Sequence, residues 1–266
     1  MKIFIWILLK MLIMMLMVKA IFKKELLYLW RYRINTIATI VFMSVICVGI
    51  TSTSEFTNVT QILGGSKLSM IAPYFLWLVM TTNFNSITGS ISSDSTSGIM
   101  EQLYVNSGNY FKILIIRAVS SFILNIIPLY TIIFIISFFA EINILSFFIV
   151  IPVFILGVPA IWGLALMAGA LTLRYKQVTS VVSIFSTILF MGISFFLTKI
   201  DILAYIMPFA KANKISLLII QQIDYNIVIA DIATIIINGA IFFAIGIICF
   251  KFAEKSAKKI GNLGMH

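Results

Sequence analysis

Long apolar runs recur along this chain, separated by short polar or basic segments, and they constrain its fold more than any other feature. Six stretches are long enough to cross a bilayer: approximately Ile34–Ser54, Leu68–Ile91, Ile113–Phe139, Leu145–Leu171, Val178–Thr198 and Ile227–Phe250. Crossing about 30 Å of hydrocarbon takes about 20 residues of helix. Hydrocarbon offers no water to an open strand edge, so each run must satisfy its own backbone as a helix. The alternating segments of a membrane β-barrel are absent. Only 11% of the 266 residues are charged, against about a quarter in a soluble domain, which assigns the chain to lipid. The expected fold is an all-α polytopic membrane protein with six transmembrane helices.

Orientation follows from the basic residues. Of the nineteen Lys and Arg, fifteen fall on one side if the N-terminus is cytoplasmic, and only Lys67, Lys199, Lys211 and Lys214 fall on the other. This bias predicts both termini in the cytoplasm. The net charge of +10 then marks topology and contact with anionic membrane lipid. The charges follow membrane boundaries and form no single groove, so no nucleic-acid partner is expected. Cys47 and Cys249 each fall inside a predicted span and read as small packing residues.

Residues 1–17 form an apolar N-terminal extension, signal-like but without a small-residue cleavage site. They read as an interfacial helix or a loosely packed extension, or as a stretch upstream of a true start at Met14, Met15 or Met17. Residues 18–33 change pattern. Ile21, Phe22, Leu26, Leu29 and Trp30 recur at helical spacing, while Lys23, Lys24, Glu25 and Arg31 take other faces. This predicts an amphipathic helix in the headgroup plane with Trp30 and Tyr32 as anchors, or else the charged flank of the first span. Residues 34–250 hold the six spans, and 251–266 form a basic cytoplasmic tail. Between Lys199 and Asn226 an apolar stretch is interrupted by Pro208, Lys211 and Lys214. Two short half-helices that enter from outside and return fit it better than a span. Pro128, Pro152 and Pro159 lie in the third and fourth spans and predict kinks. The segment Asn58-Val-Thr60 has the form of a glycosylation acceptor, a pattern that short sequences often match by chance.

No catalytic constellation and no metal-ligand cluster is legible. The one histidine is His266, and no HExxH, CxxC or GxSxG occurs. Gly64-Gly-Ser-Lys67 lacks the spacing of a nucleotide loop, so ATP, if used, binds to another chain. Arg117 lies about one turn into its span, from which it is expected to snorkel to the cytoplasmic surface. Asp231 lies one turn into the last span from outside and reads as a structural or interface residue. The polar residues of the second span are more suggestive. Thr82, Asn83, Asn85 and Ser86, with Thr81, Thr88 and Ser90, must face either other helices or a water-filled path, and the sequence leaves both open.

One polar segment joins the second and third spans: Ser92-Ser-Asp-Ser-Thr-Ser-Gly-Ile-Met-Glu-Gln-Leu-Tyr-Val-Asn-Ser-Gly-Asn-Tyr-Phe111. Its middle reads as a short amphipathic helix, about Gly98–Asn109, with Ile99, Leu103 and Tyr104 as an apolar contact face. Ser95 to Ser97 are expected to cap its free amides, and Asp94 and Glu101 to sit near its positive end. Gly98, two residues, Glu101, Gln102 and Leu103 resemble the pattern found after the second span in ABC-2 type permeases, the membrane subunits of ATP-binding cassette exporters. The stretch Lys24-Glu25-Leu-Leu-Tyr-Leu-Trp30-Arg31-Tyr32 is similar to that family's N-terminal elbow helix, and Arg174-Tyr175-Lys176 to part of its second cytoplasmic loop. The Pro208 region resembles its external re-entrant helices, so the resemblance runs from Val18 onward.

The resemblance implies a half-transporter that pairs with a second copy or a paralogue. It would seat the helix of Gly98, Ile99, Glu101, Gln102, Leu103 and Tyr104 on a separate cytoplasmic ABC ATPase, which binds ATP and Mg. This chain would bind no cofactor and would catalyse nothing itself. The expectation is an exporter subunit in a bacterial cytoplasmic membrane, moving a peptide, lipid-linked molecule or drug. The alternative is a stand-alone secondary transporter or channel, and no buried ion ligands support it. A third reading, an intramembrane enzyme or assembly scaffold, lacks catalytic groups.

Overall fold

A computed structural model describes residues 2–54, 67–107, 109–140, 142–175, 178–195, 201–223 and 225–260. Among the described residues every regular element is a helix: α1 (Lys2–Arg31), α2 (Arg33–Ser54), α3 (Leu68–Thr96), α4 (Ile99–Ser107), α5 (Tyr110–Ala140), α6 (Leu145–Ile149), α7 (Ile151–Tyr175), α8 (Thr179–Phe195), α9 (Asp201–Ile206), α10 (Ala210–Ile220) and α11 (Ile229–Ile260). Four of them, α2, α5, α7 and α11, are long and apolar enough to cross a membrane. Of the other two expected spans, α8 is apolar but has 17 residues. α3 has 29, long enough at about 1.5 Å per residue, but is too polar to stand in lipid by itself.

The bundle resolves that conflict by placing α3 at its centre. Nineteen of its 29 residues are buried. It packs against α7, α8 and α5, and more lightly against α2, α4 and α10. Ile71, Phe75, Leu76, Met80, Ile87 and Ile91 are fully covered, and the Phe75 ring meets Tyr130, Phe147 and Phe154 edge-on or tilted. Large apolar side chains point outward from the peripheral helices instead. Ile34, Ile37, Val41 and Val45 form such a stripe on α2, Val181, Ile184, Phe185 and Ile188 on α8, and Ile236, Ile237, Ile241 and Ile248 on α11. These stripes repeat at three- and four-residue intervals, the spacing of one helical face, and suit hydrocarbon.

Among the described residues, helices α7 and α11 make the most extensive contact, and glycine permits it. A Cβ on Gly163 would collide with the backbone of Phe242, and one on Gly246 with the backbone of Gly163. Packing through bare backbone is how membrane helices gain contact when lipid gives them no hydrophobic drive to associate.

Several expectations meet a different local structure. α1 continues unbroken through residue 17, because its Leu, Met and Lys residues are good helix formers with no Gly or Pro between them. The fourth apolar run is broken at Val150 into α6 and α7, and Pro152 takes the second position of α7, where its missing N–H is no loss. Pro128 and Pro159 do lie inside helices. Asn58–Thr60, Gly64–Ser66, Lys176, Lys199 and His266 lie outside the described residues, as does the side chain of Tyr104.

The Pro208 stretch forms α9 and α10, two short helices either side of an irregular turn. That turn is satisfied from α11. Asn238 Nδ2 donates to the carbonyls of Tyr205 and Met207, at 3.2 and 3.3 Å, and its Oδ1 accepts from the Phe209 N–H at 3.4 Å. Phe209 is left-handed, at φ 65°, and its ring lies where Gly157 leaves no side chain. Lys211 on α10 pairs with Asp231 on α11 at 2.7 Å, both buried, and the Tyr225 hydroxyl donates to the same carboxylate at 2.7 Å. That hydrogen bond holds the Tyr225 phenol above its usual range. Asp231 is thus a structural clamp here.

Gly163→Val should destabilise the bundle by about 2–3 kcal/mol, because the obstructing atoms are backbone and cannot move aside. Thermal unfolding in detergent checks this, and the neighbouring Leu164→Val, at a half-buried position with no such contact, should cost less.

Candidate functional site

The polar face of α3 opens onto two connected cavities. The first, of about 500 Å³, is bounded by Asn35, Thr36, Thr39 and Met43 of α2, Trp77 and Thr81 of α3, and Leu129 and Ile132 of α5. The second, of about 510 Å³, is bounded by Lys24, Glu25 and Tyr28 of α1, Ser86, Ser90 and Asp94 of α3, and Arg117 and Ser121 of α5. Leu29, Thr82, Asn85 and Asn125 line both, so the two form one groove along α3. Its upper part is mostly apolar, and its lower part is the more polar of the two.

Helical periodicity decides which polar residues of α3 reach this groove. Thr82, Asn85 and Ser86, at i, i+3 and i+4, share one face and line it. Asn83 points elsewhere: it is 1% exposed, and its Nδ2 donates to the Val79 carbonyl at 2.8 Å. It lines a small apolar pocket with Phe122, Tyr130 and Phe154 instead. Asn83 thus takes the packed alternative, while Thr82, Asn85 and Ser86 face a groove.

The lower end of the groove holds a buried ion pair. Arg117 Nη1 donates to Asp94 Oδ2, and the Tyr110 hydroxyl donates to the same oxygen at 2.9 Å. Arg117 is 8% exposed and Asp94 5%, so the arginine is drawn inward to a carboxylate and does not snorkel. Asp94 is correspondingly in the last turn of α3, one of the helix's buried residues. A charge pair costs desolvation of both partners, and loss of either partner strands the other. The geometry follows from chain reversal. The α3–α4–α5 connection folds back, so an acid near the end of α3 meets a base two turns into α5, and Tyr110 lies seven residues before Arg117 on the same face.

Beyond Asp94 the chain turns through Gly98, at φ 68°, a conformation that costs a side-chain-bearing residue about 1 kcal/mol or more. The hydroxyls of Thr96 and Ser97 donate back to the Ser93 carbonyl, and so finish α3 where the sequence suggested they would begin α4. Helix α4 is held to the bundle by Met100, fully buried, and Leu103, half-buried against the core. Leu103 was expected on the outer contact face, but the turn at Gly98 sets it inward. The outer face carries Ile99, Glu101, Gln102 and Val105, all exposed.

Of the residues expected to form an elbow, Lys24 and Glu25 stand at the lower mouth of the groove. Trp30, Arg31 and Tyr32 are exposed at the α1–α2 junction, where Arg33 covers the Trp30 ring at 5.7 Å and Arg31 the Tyr32 ring at 5.9 Å. Arg174 and Tyr175 are exposed at the end of α7 and stack at 5.6 Å, away from the groove. Among the described residues no cluster of His, Cys, Asp or Glu could hold a metal ion. No protein-family model matches the sequence, and no curated protein matches it as a relative.

Asn35, Thr39 and Asn125 were not singled out as groove residues from the sequence. Asn125 carried a usable signal, a lone amide in the apolar run Phe122–Ile127. Asp94→Asn should cost about 3–5 kcal/mol by stranding Arg117. Replacing the pair together, Asp94→Leu with Arg117→Met, should recover most of that loss in thermal unfolding. If Asp94→Asn and the double variant are both as stable as the unsubstituted protein, the pair contributes nothing.

Proposed function

We propose that this chain is the transmembrane permease subunit of an ATP-driven exporter of the ABC-2 type. It moves an amphipathic or hydrophobic cargo out of a bacterial cytoplasm with a separate ATPase subunit. In this reading α2, α3, α5, α7, α8 and α11 are the six spans, both termini are cytoplasmic, the second half of α1 is the elbow, and α9 and α10 re-enter from outside. A second copy or a paralogue completes the transporter.

One observation carries the reading. The short helix that resembles the family's ATPase contact is tethered inward by Met100 and presents Ile99, Glu101, Gln102 and Val105 outward. It continues directly from the helix that lines the groove. A push on α4 therefore reaches α3 through one glycine turn and the Asp94–Arg117 pair. Binding of ATP to the partner would do work through differential contact with two arrangements of this unit. The resemblance of residues 18–33 and of the Pro208 region adds to it, as does the position of the groove between α1, α2, α3 and α5.

The groove also suits a stand-alone transporter, since polar intramembrane surface with a buried ion pair is what such a protein requires. Energy source separates the two. In proteoliposomes the proposed subunit moves cargo only with its ATPase and ATP, whereas a secondary transporter moves it with an ion gradient alone.

Ile99→Ala with Glu101→Ala should leave the bundle's thermal transition within about 0.5 kcal/mol, as surface substitutions do. The same change should abolish co-purification with the ATPase. Leu103→Ala should lower stability instead, because Leu103 packs inward. If the Ile99/Glu101 variant retains the ATPase and ATP-dependent export, α4 is not the contact.

A further inference from the structure

We infer that the α3 groove binds a single-chain amphiphile whose net-neutral head is rich in hydrogen-bond donors, such as a primary or secondary amide. As a statement about cargo this rests on the exporter reading; as a statement about binding it does not.

The argument starts from where the groove's hydroxyl protons go. Thr82 donates to the Leu78 carbonyl at 2.8 Å, Ser86 to Asn83 at 2.8 Å and Ser90 to Ser86 at 2.7 Å. Across the groove Thr39 donates to Asn35 at 2.9 Å, and Thr187 to Ser183 at 2.8 Å. Each hydroxyl has one proton and two lone pairs. Back-bonding to the helix uses the proton and leaves an acceptor oxygen facing the cavity. These five hydroxyls therefore form a row of acceptors along the groove.

Two carboxamides sit where the cavities meet. Asn85 and Asn125 line both, and among the described residues neither makes a hydrogen bond. Each offers a carbonyl oxygen as well as two N–H donors, which is the complement of an amide. The charges below are balanced, Lys24 against Glu25 and Arg117 against Asp94, so the lower cavity has no net attraction for an ion. Above, Ile40, Met43, Trp77, Leu129 and Ile132 give an apolar compartment for the chain. Each compartment is within the range of small-molecule sites, about 300–1,000 Å³. An acceptor-only head, such as an ester or a tertiary amide, leaves the acceptor row unpaired and loses affinity on that account.

Trp77 lines the apolar compartment and supplies the readout. The permease, alone in lipid nanodiscs, is titrated with N-(ω-bromododecanoyl)glycinamide, whose bromine quenches tryptophan. A parallel titration uses the fully N-methylated analogue, which keeps the carbonyls and removes every donor. Quenching is taken as the difference from Trp77→Phe. The glycinamide should saturate with about tenfold tighter affinity than its methylated analogue, the value of one or two neutral hydrogen bonds. Asn85→Leu with Asn125→Leu should bring the two probes to within about twofold. Asn85→Ala, at an exposed position, should narrow the gap alone if the double variant fails to fold. Equal affinities for the two probes, or quenching no greater than that of Trp77→Phe, overturns the inference. Selective binding in a protein that exports nothing with any ATPase sinks the exporter reading and leaves this one standing. ATP-driven export without donor selectivity does the reverse.

Discussion

A helix with seven hydroxyl or amide side chains between Thr81 and Ser90 cannot face hydrocarbon, and the arrangement of the molecule depends on that constraint. Helices α5, α7 and α8 wrap α3, and α2 covers part of its remaining face. Where a polar side chain meets a neighbour it is closed off, as Asn83 is against its own Val79 carbonyl. Where no helix covers the face, a groove remains. Shielding and opening are thus two outcomes of one burial problem, sorted by helical phase.

The same helix links the groove to the outer surface of α4. Its last turn is fixed to α5 by Asp94, Arg117 and Tyr110, and the next residues turn through Gly98 into α4. At the opposite end of the fold Lys211, Asp231, Tyr225 and Asn238 hold α10 against α11, so the irregular turn at Pro208 is paired throughout. Among the described residues, buried charge is kept in pairs, Asp94 with Arg117 and Lys211 with Asp231. Breaking either pair strands a partner in a low-dielectric interior, and rearrangement near the groove therefore has to carry Asp94 and Arg117 together.

Much of the architecture was legible because length and apolarity are sufficient statements about lipid. The runs that became α2, α5, α7 and α11 stood out by these two properties alone. The break at Pro208 was legible because proline and lysine interrupt an apolar stretch. The burial of Arg117 was not. Depth in a span is read from position along one helix, whereas its partner Asp94 is reached only once the chain reverses. The inward turn of Leu103 was missed for a related reason. Composition gives the apolar face of α4, but the left-handed Gly98 decides which way that face points. Thr82, Asn85 and Ser86 were legible as a polar cluster, and their separation from Asn83 needed only helical phase.

The phase of α3 can be read directly. Single cysteines at Thr82, Asn83, Asn85, Ser86 and Ile87, in a chain whose Cys47 and Cys249 are replaced by Ala, are exposed to a small water-soluble maleimide in the folded protein. Positions 82, 85 and 86 should label quickly, and 83 and 87 only after denaturation, because both are 1% exposed. Uniform labelling of all five, or protection of all five, would contradict a central helix with one open face.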